Sequence, residues 1–145
     1  MKLTLAEPRT LIDSVNVISE LVNEVRFKID SEKIDLVAMD PANVAMVDFK
    51  LFNTAFTEYS VEKDYELCVS LDSLRSVLKR VKPSDMLTIE LDEEKNRLKI
   101  QLKSDNTRTF NLALIDVDEK EQKVPDLNFG ASVETSSMVF DEAIQ

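Results

Sequence analysis

Carboxylates are the most abundant groups in this sequence that could do chemistry, since it holds 28 Asp and Glu residues and no histidine. Asp35, Asp40 and Asp48 lie close together in the chain, and grouped carboxylates can hold the metal ions of a nuclease. The simpler interpretation places these residues beside strands and in a turn, where Asp often hydrogen-bonds to the local backbone. We therefore expect a protein that is not an enzyme, and a metal-dependent nuclease stays an alternative.

A second acidic run, DVDEKEQ at 116–122, raises the possibility of calcium binding. An EF-hand loop needs a Gly at its sixth position and a Glu at its twelfth, and both are missing here. With one Gly and no His in the chain, a glycine-rich phosphate loop and an imidazole acid-base catalyst are also absent. The prediction is no metal and no cofactor.

Basic side chains are fewer, and the net charge of -10 opposes bulk attraction to nucleic acid, because non-specific affinity depends on Lys and Arg that neutralise phosphates. Arg75, Lys79 and Lys82 are spaced by four and three residues, which would align them along one side of a helix. Arg80 and Lys103 are possible additions to this stripe. A charged stripe is usually a solvated face, so any contact with DNA would have to be local.

Large apolar side chains surround a polar turn in AMDPANVAMVDF at 38–49. On one interpretation, Met39, Val44 and Met46 face the core of a sheet. On the other, Val44 and its neighbours line an exposed apolar pocket that binds a partner. The residue types alone leave both interpretations open.

Composition and length indicate a globular protein of one domain, or of one domain plus the start of another, because the 145 residues are 43% hydrophobic and 32% charged. No apolar run approaches the roughly 20 residues that cross a bilayer. Glu7, Pro8 and Arg9 interrupt the place where a signal peptide would need an apolar core. We expect a soluble protein inside the cell, with Cys68 as a small buried side chain.

Alternating and helical patterns follow one another twice. KLTLA is predicted to be a strand, and Leu11, Val15, Ile18 and Val22 mark one face of the helix after it. Three alternating runs come next: VRFKIDS, KIDLVAM and VAMVDFKLF.

The second unit has the same order. YELCVSL is predicted to be a strand, and Leu74, Val77, Leu78 and Val81 mark a helix that Pro83 closes. MLTIELD, RLKIQLK and TRTFNLALI are the three strands after it. The prediction for residues 1–115 is an α+β domain built from two strand-helix-three-strand repeats.

The periodicity stops at Asp116, where a charged segment with a proline is predicted to be a connector. Beyond it, FGASVE is predicted to be a strand, and TSSM to cap a helix in VFDEAIQ. These residues would start a third copy of the pattern. We therefore expect the sequence to be a fragment of a longer chain.

Four motifs, taken in order, resemble those of the archaeal and eukaryotic sliding clamp, the proliferating cell nuclear antigen (PCNA) family. They are AMDPANVAMVDF at 38–49, LKRVK at 78–82, LIDV at 114–117 and VPDL at 124–127. The sequence MDPANVAMV is closest to that of archaeal members, and the resemblance covers the whole chain. It implies a clamp N-terminal domain at 1–115, an interdomain connecting loop at 116–128 and the start of a second clamp domain at 129–145.

The resemblance implies a trimeric ring with antiparallel sheets outside and helices on the inner face, two in each domain. Such a ring is a DNA polymerase processivity factor: it encircles duplex DNA independently of sequence and catalyses no reaction. It tethers PIP-box proteins of replication and repair, such as DNA polymerase, clamp loader, flap endonuclease and DNA ligase. The alternative within the same fold is a stand-alone PIP-box-binding module that does not encircle DNA. The implied location is the cytoplasm, at the nucleoid, in an archaeon or the nucleus in a eukaryote, with no membrane contact.

The resemblance implies functional roles for three sets of residues. The PIP-box pocket would comprise Met39, Asn43, Val44, Met46, Gln122, Val124, Pro125 and Asp126. The DNA-facing residues would be Arg9, Arg75, Lys79, Arg80 and Lys82, and the subunit-interface strand would contain Thr107, Arg108, Thr109, Phe110 and Asn111.

Two expectations qualify these roles. On the polar face of the first helix, Asp13, Asn16 and Glu20 outnumber the single basic Arg9, so the chain without ring closure should bind duplex DNA very weakly at physiological salt. The strand that would cover the interface edge belongs to a neighbour's second domain. A full-length chain is therefore expected to form a homotrimer, and this sequence alone a monomer or a loose self-association.

Overall fold

The computed structural model describes residues 1–116 and 123–145. Its helices are α1 (Arg9–Ser19), α2 (Leu71–Leu78) and α3 (Ser137–Ile144). Its strands are β1 (Lys2–Leu5), β2 (Glu24–Ile29), β3 (Lys33–Met39), β4 (Met46–Phe52), β5 (Glu58–Ser60), β6 (Tyr65–Ser70), β7 (Met86–Asp92), β8 (Arg97–Lys103) and β9 (Thr107–Ala113). The predicted order of strand, helix and three strands is confirmed twice, in β1-α1-β2-β3-β4 and in β6-α2-β7-β8-β9.

The nine strands of the described residues form two antiparallel sheets, with the orders β5-β1-β7-β8-β9 and β4-β3-β2-β6. The first strand of each repeat pairs with a strand of the other repeat, since β1 lies beside β7 and β6 lies beside β2. Each sheet therefore contains strands from both halves of the domain, and neither repeat can complete its sheet alone.

The core lies where the two sheets meet the two helices. In β2, β3 and β8 every second residue is buried, as expected for strands that pack one face on a core. The buried faces of α1 and α2 complete this cluster, and the two helices pack against each other. Leu11, Val15 and Ile18 carry the α1 face, at the spacings that predict it.

The second helix is shorter than its pattern predicts. It starts where the Ser70 hydroxyl accepts a hydrogen bond from the Ser73 N–H at 3.3 Å, and it ends at Leu78. The N–H groups of Arg80 and Val81 then bond to carbonyls three residues back, which tightens the chain into a turn. Val81 and Pro83 thus follow the helix rather than belonging to it.

Three further details differ from the prediction. The short strand β5, which pairs with β1, lies in a stretch without clear alternation and was not predicted. FGASVE is not a strand, because residues 129–134 have no ladder partner among the described residues, although the predicted helix is present as α3 with Ser136 as its N-cap. Cys68 is half-buried rather than buried, and its carbonyl accepts a hydrogen bond from the Ile115 N–H at 3.0 Å.

Candidate partner-binding and DNA-facing surfaces

The loop between β3 and β4 is tightly held by one carboxylate. Asp40 Oδ1 accepts hydrogen bonds from the backbone N–H groups of Val44 at 2.7 Å and Ala45 at 2.9 Å. Asn43 takes a left-handed backbone conformation with φ of 56°, which Asn adopts more easily than most residues. Val44 is left 84% exposed at the tip of this loop. The local chemistry of the loop therefore presents an apolar side chain to solvent.

The remaining predicted pocket residues lie in two places. Met39 and Met46 are opposite each other in the β3–β4 ladder and are half-buried, so they extend the Val44 surface into the strands. Val124, Pro125 and Asp126 are exposed in the connector, and no hydrogen bond or ion pair of the described residues joins them to the β3–β4 hairpin. Gln122 lies outside the described residues. The structure thus brings together Met39, Asn43, Val44 and Met46 only.

The three aspartates of the nuclease alternative have local partners. The backbone N–H groups that reach Asp40, from Ala45 first and then from Val44, hold the pKa of its carboxyl below the usual value. Asp48 Oδ1 lies 2.6 Å from Lys50 Nζ, and an Asp35 oxygen lies 3.6 Å from Lys33 Nζ. Across residues 1–116 and 123–145, no group of three or more His, Cys, Asp or Glu residues is arranged to hold a metal ion.

The predicted basic residues divide between two surfaces. Arg9 and Lys82 line one groove of about 510 Å³ between the start of α1 and the turn after α2. Arg75 is half-buried within α2, and Lys79 is exposed at the end of that helix. Because the helix ends at Leu78, Arg75, Lys79 and Lys82 do not form one helical stripe. Arg9 is 92% exposed, with its Nε 3.6 Å from Asp13.

Arg80 lies on the second surface, against β9. Its guanidinium carbon is 5.4 Å from the centre of the Phe110 ring, which is the geometry of a cation–π contact. Its carbonyl accepts a hydrogen bond of 2.8 Å from Arg108 Nη1. The structure therefore groups this predicted DNA-facing residue with the predicted interface strand.

Asp85 is a structural residue that the sequence patterns did not single out. It is 1% exposed, and its Oδ2 accepts hydrogen bonds from the Lys82 N–H at 2.7 Å and from Arg108 Nη2. The Lys82 N–H is the main reason that the pKa of this carboxyl lies below its usual value. Asp85 thereby ties the turn after α2 to β9. The only signal in the sequence is an Asp in a polar turn after Pro83, which is common in ordinary turns.

The strand predicted to lie at a subunit interface, β9, stands at the edge of its sheet in the described residues. Within the described residues, β9 pairs with β8 on one side and with no strand on the other. Thr107, Thr109 and Asn111 are exposed, while Arg108 and Phe110 are half-buried on the opposite face. Pairing of this edge with another subunit stays a prediction.

Comparison with known proteins tests the resemblance directly. The family model for the proliferating cell nuclear antigen N-terminal domain matches residues 2–122. A DNA polymerase sliding clamp from Nanoarchaeum equitans is 36% identical over 145 residues, which are 99% of this chain and 58% of that protein. Another from Pyrococcus horikoshii is 40% identical over 131 residues, 90% of this chain and 52% of that protein. The chain spans about half the length of the curated relatives it matches.

Solved structures agree with the sequence matches. A crystal structure of PCNA from Thermococcus kodakaraensis has a TM-score of 0.82 at 28% identity, covering 87% of this chain and 51% of that one. A PCNA2–PCNA3 complex from Sulfolobus tokodaii also has a TM-score of 0.82, at 26% identity, covering 89% of this chain and 52% of the other. No helix in the described part of the chain is long and apolar enough to cross a membrane. With its two interlocked antiparallel sheets and the family match over residues 2–122, this chain belongs to the PCNA sliding-clamp family.

Proposed function

We propose that this chain is the N-terminal domain and connecting loop of a DNA polymerase sliding clamp, which acts as a processivity factor and not as an enzyme. The match of the family model over residues 2–122 carries this proposal. A sliding clamp helps its partners by tethering them, because a partner held on DNA meets its substrate at a high effective concentration. The domain boundaries proposed are 1–115, 116–128 and 129–145.

We propose that the surface around Val44 receives the apolar side chains of a PIP-box peptide. A largely exposed valine is a favourable docking point only if it is held in place, because a mobile loop would lose conformational entropy on binding. The two backbone hydrogen bonds to Asp40 hold this loop before any partner arrives. Met39 and Met46 beside it have flexible side chains that can adapt to different peptides.

We propose that the connector forms a second wall of this pocket. Val124 is 51% exposed and so presents apolar surface, while Asp126 adds a polar rim. Gln122 keeps its proposed place in this wall. Partners in this proposal are proteins that carry a PIP-box, among them DNA polymerase, clamp loader, flap endonuclease and DNA ligase.

The proposed DNA-facing surface is the groove that contains Arg9 and Lys82, with Lys79 and Arg75 nearby along α2. Cations that contact phosphates position a protein on duplex DNA without reading its sequence. Few such cations in a chain of net charge -10 would hold DNA weakly, which suits sliding. A closed trimeric ring is proposed for the full-length protein, with β9 at the subunit boundary.

Calorimetric titration with a PIP-box peptide tests the proposal, beside a control peptide whose paired aromatic residues are changed to Ala. We expect the first peptide to bind and the control to lose binding, because the aromatic rings supply most of the buried apolar area. A folded chain that binds neither peptide, or both equally, would contradict the proposed pocket.

A stand-alone peptide-binding module is the second candidate. It is favoured by the polar face of α1, where Asp13 contacts Arg9 and reduces the net positive charge available to phosphates. Duplex DNA titrations at low and physiological salt separate the two candidates. A clamp domain should bind DNA weakly at low salt and lose that binding when Arg9 and Lys82 are both changed to Glu, whereas a peptide module should bind no DNA under either condition.

A further inference from the structure

An apolar cavity of about 50 Å³ lies in the core of the domain. Its lining comes from strands of both sheets, namely β1, β2, β3, β6, β7 and β8, and from the helices α1 and α2. Protein interiors contain few voids larger than a water molecule, so a cavity of this size is a specific feature of the packing. The cavity therefore lies where all the main elements of the domain meet, away from the surface around Val44 and from the groove that contains Arg9 and Lys82.

The lining of this cavity is too apolar to hold water. Every side chain that lines it is a hydrocarbon or the thioether of Met1. The backbone groups of the lining strands are paired in the sheets, in registers that place Leu3 beside Ile89 and Phe27 beside Leu67. A buried water needs about two to four polar partners, and an apolar cavity without them stays dry. The space is therefore open to an apolar occupant.

The side chains around the cavity are poorly able to close it. Four of them are branched at Cβ and so have few favourable χ1 rotamers, namely Ile29, Ile34, Val69 and Ile89. Val69 is the smallest side chain of the lining and is fully buried, at 0% exposed. A stiff and short side chain at this position cannot turn into the empty space, so the lining atoms on that side lack contact partners.

Met1 and Ile89 form the outer side of the cavity, because they are half-buried whereas the other lining residues are buried. The Met1 side chain itself is 0% exposed, and the Met1 carbonyl accepts a hydrogen bond of 3.4 Å from the Leu91 N–H. A methionine side chain has three rotatable bonds and adapts its shape readily. Movement of this side chain would open the cavity to a small molecule while the backbone of residue 1 stays in place.

The volume limits what the cavity can hold. An apolar cavity of about 150 Å³ lined by Leu, Ile and Phe stays dry and binds benzene, which has six carbon atoms, or xenon. The cavity here has about a third of that volume, so it matches a xenon atom or about two carbon atoms and is too small for benzene. An occupant of that size would supply the dispersion contacts that the lining atoms lack.

We propose that this cavity is a binding site for a small apolar ligand, a xenon atom or a hydrocarbon of about one or two carbon atoms. Xenon is the probe that tests it. The ligand would bind between the two sheets and the two helices, with the Met1 side chain covering it. The site depends neither on peptide recognition at Val44 nor on DNA, so its failure would leave the proposed function untouched.

Methyl NMR spectra of the folded chain under increasing xenon pressure test the site. We expect saturable shifts of methyl groups that line the cavity, at Val69, Leu74 and Leu98, and no saturable shifts at the exposed Val17 and Val44. Benzene should leave the lining methyl groups unshifted, because it exceeds the volume of the cavity. A folded chain in which xenon shifts none of these methyl groups, or in which benzene shifts them as xenon does, would overturn the proposal.

Val69→Ile places one more carbon atom in the cavity, and Val25→Ile is the matched control. Val25 is directly opposite Val69 in the β2–β6 ladder and is 1% exposed, but it lies outside the lining. Filling the cavity with one methylene-sized group should raise the folding equilibrium constant roughly fourfold in urea titration and abolish the xenon shifts.

The control should behave in the opposite way. An added carbon at Val25 enters a packed part of the core, so Val25→Ile should be less stable than the parent and keep the xenon shifts. If Val69→Ile lost stability as Val25→Ile does, or if its xenon shifts persisted, the proposal would be overturned. The xenon titration of the parent chain requires neither variant, so it decides the proposal even if one of them fails to fold.

Discussion

Val44→Ala is the substitution that most directly tests the proposed peptide pocket. Val44 is 84% exposed in the free chain, so it contributes little to the core, and the free energy of unfolding should change by less than about 0.5 kcal/mol. The same exposure means that a bound peptide could cover nearly the whole side chain. Loss of the valine methyl groups should therefore weaken peptide binding and leave the free energy of unfolding nearly unchanged.

The magnitude follows from the two carbon atoms that the substitution removes. Each buried methylene-sized group contributes about 0.8 kcal/mol, so the loss should be about 1.6 kcal/mol, which corresponds to roughly 15-fold weaker binding. Asp40 accepts its hydrogen bonds from backbone N–H groups, including that of residue 44 itself. An alanine at this position keeps them, so the loop should keep its shape.

The assay is calorimetric titration with the PIP-box peptide, with Val17→Ala as the matched control. Val17 is also a largely exposed valine, at 66%, but lies on α1 beside β4. The control should bind the peptide as the parent chain does. If Val44→Ala changed the dissociation constant by less than about twofold, or if both variants weakened binding equally, Val44 would not line the pocket.

Three further predictions concern stability. Leu102→Ala, at a fully buried position in β8, should lower the free energy of unfolding by about 3 to 5 kcal/mol, whereas Leu127→Ala in the exposed connector should change it by less than about 0.5 kcal/mol; urea titration measures both. Burial, with the nearby charge of Asp30, raises the pKa of Tyr59 from 10.0 to about 12, so the unfolded chain loses this proton first and stability should fall as pH rises from 10 towards 12. Tyr59→Phe should lose the hydrogen bond to the Asp30 carbonyl and show a smaller alkaline decline in the same titration, and an unchanged decline would contradict this assignment. The pKa of Asp85 lies below its usual 3.8, so the stabilisation of the fold by the charged carboxylate should be complete above pH 3.8 and be lost as the pH falls through the pKa of the folded state. Asp85→Asn should therefore lower the free energy of unfolding at pH 7. A difference in stability between this variant and the parent that did not shrink in acid would count against this role.

Much of this fold could be predicted from residues that are close together in the chain. The alternation of apolar residues in KIDLVAM and RLKIQLK matches β3 and β8, because each strand buries one face on the core. The apolar spacing of Leu11, Val15 and Ile18 matches α1 in the same way. The turn at Asp40 also follows from local chemistry, since an Asp before a Pro and an Asn commonly bonds to the backbone that follows it.

The length of α2 could not be predicted from apolar spacing. Val81 continues the helical pattern, but the chain turns after Leu78. In the folded protein, the buried Asp85 binds the Lys82 N–H, and Arg108 binds the Arg80 carbonyl. Arg108 also binds Asp85, so a strand more than 20 residues away acts together with the local Lys82–Asp85 hydrogen bond to hold the segment after Leu78 in a turn.

The sequence by itself determined the repeated order of elements and the apolar faces of the strands and helices. These properties depend on residues close together in the chain and on side-chain periodicity. Only the tertiary structure decided that β1 and β6 exchange between the repeats, that Arg80 lies over Phe110 instead of beside Arg9, and that β4 and β9 each end a sheet of the described residues. Strand pairing and ion pairing join residues distant in sequence, and several partners satisfy the same local pattern, so the global packing selects among them.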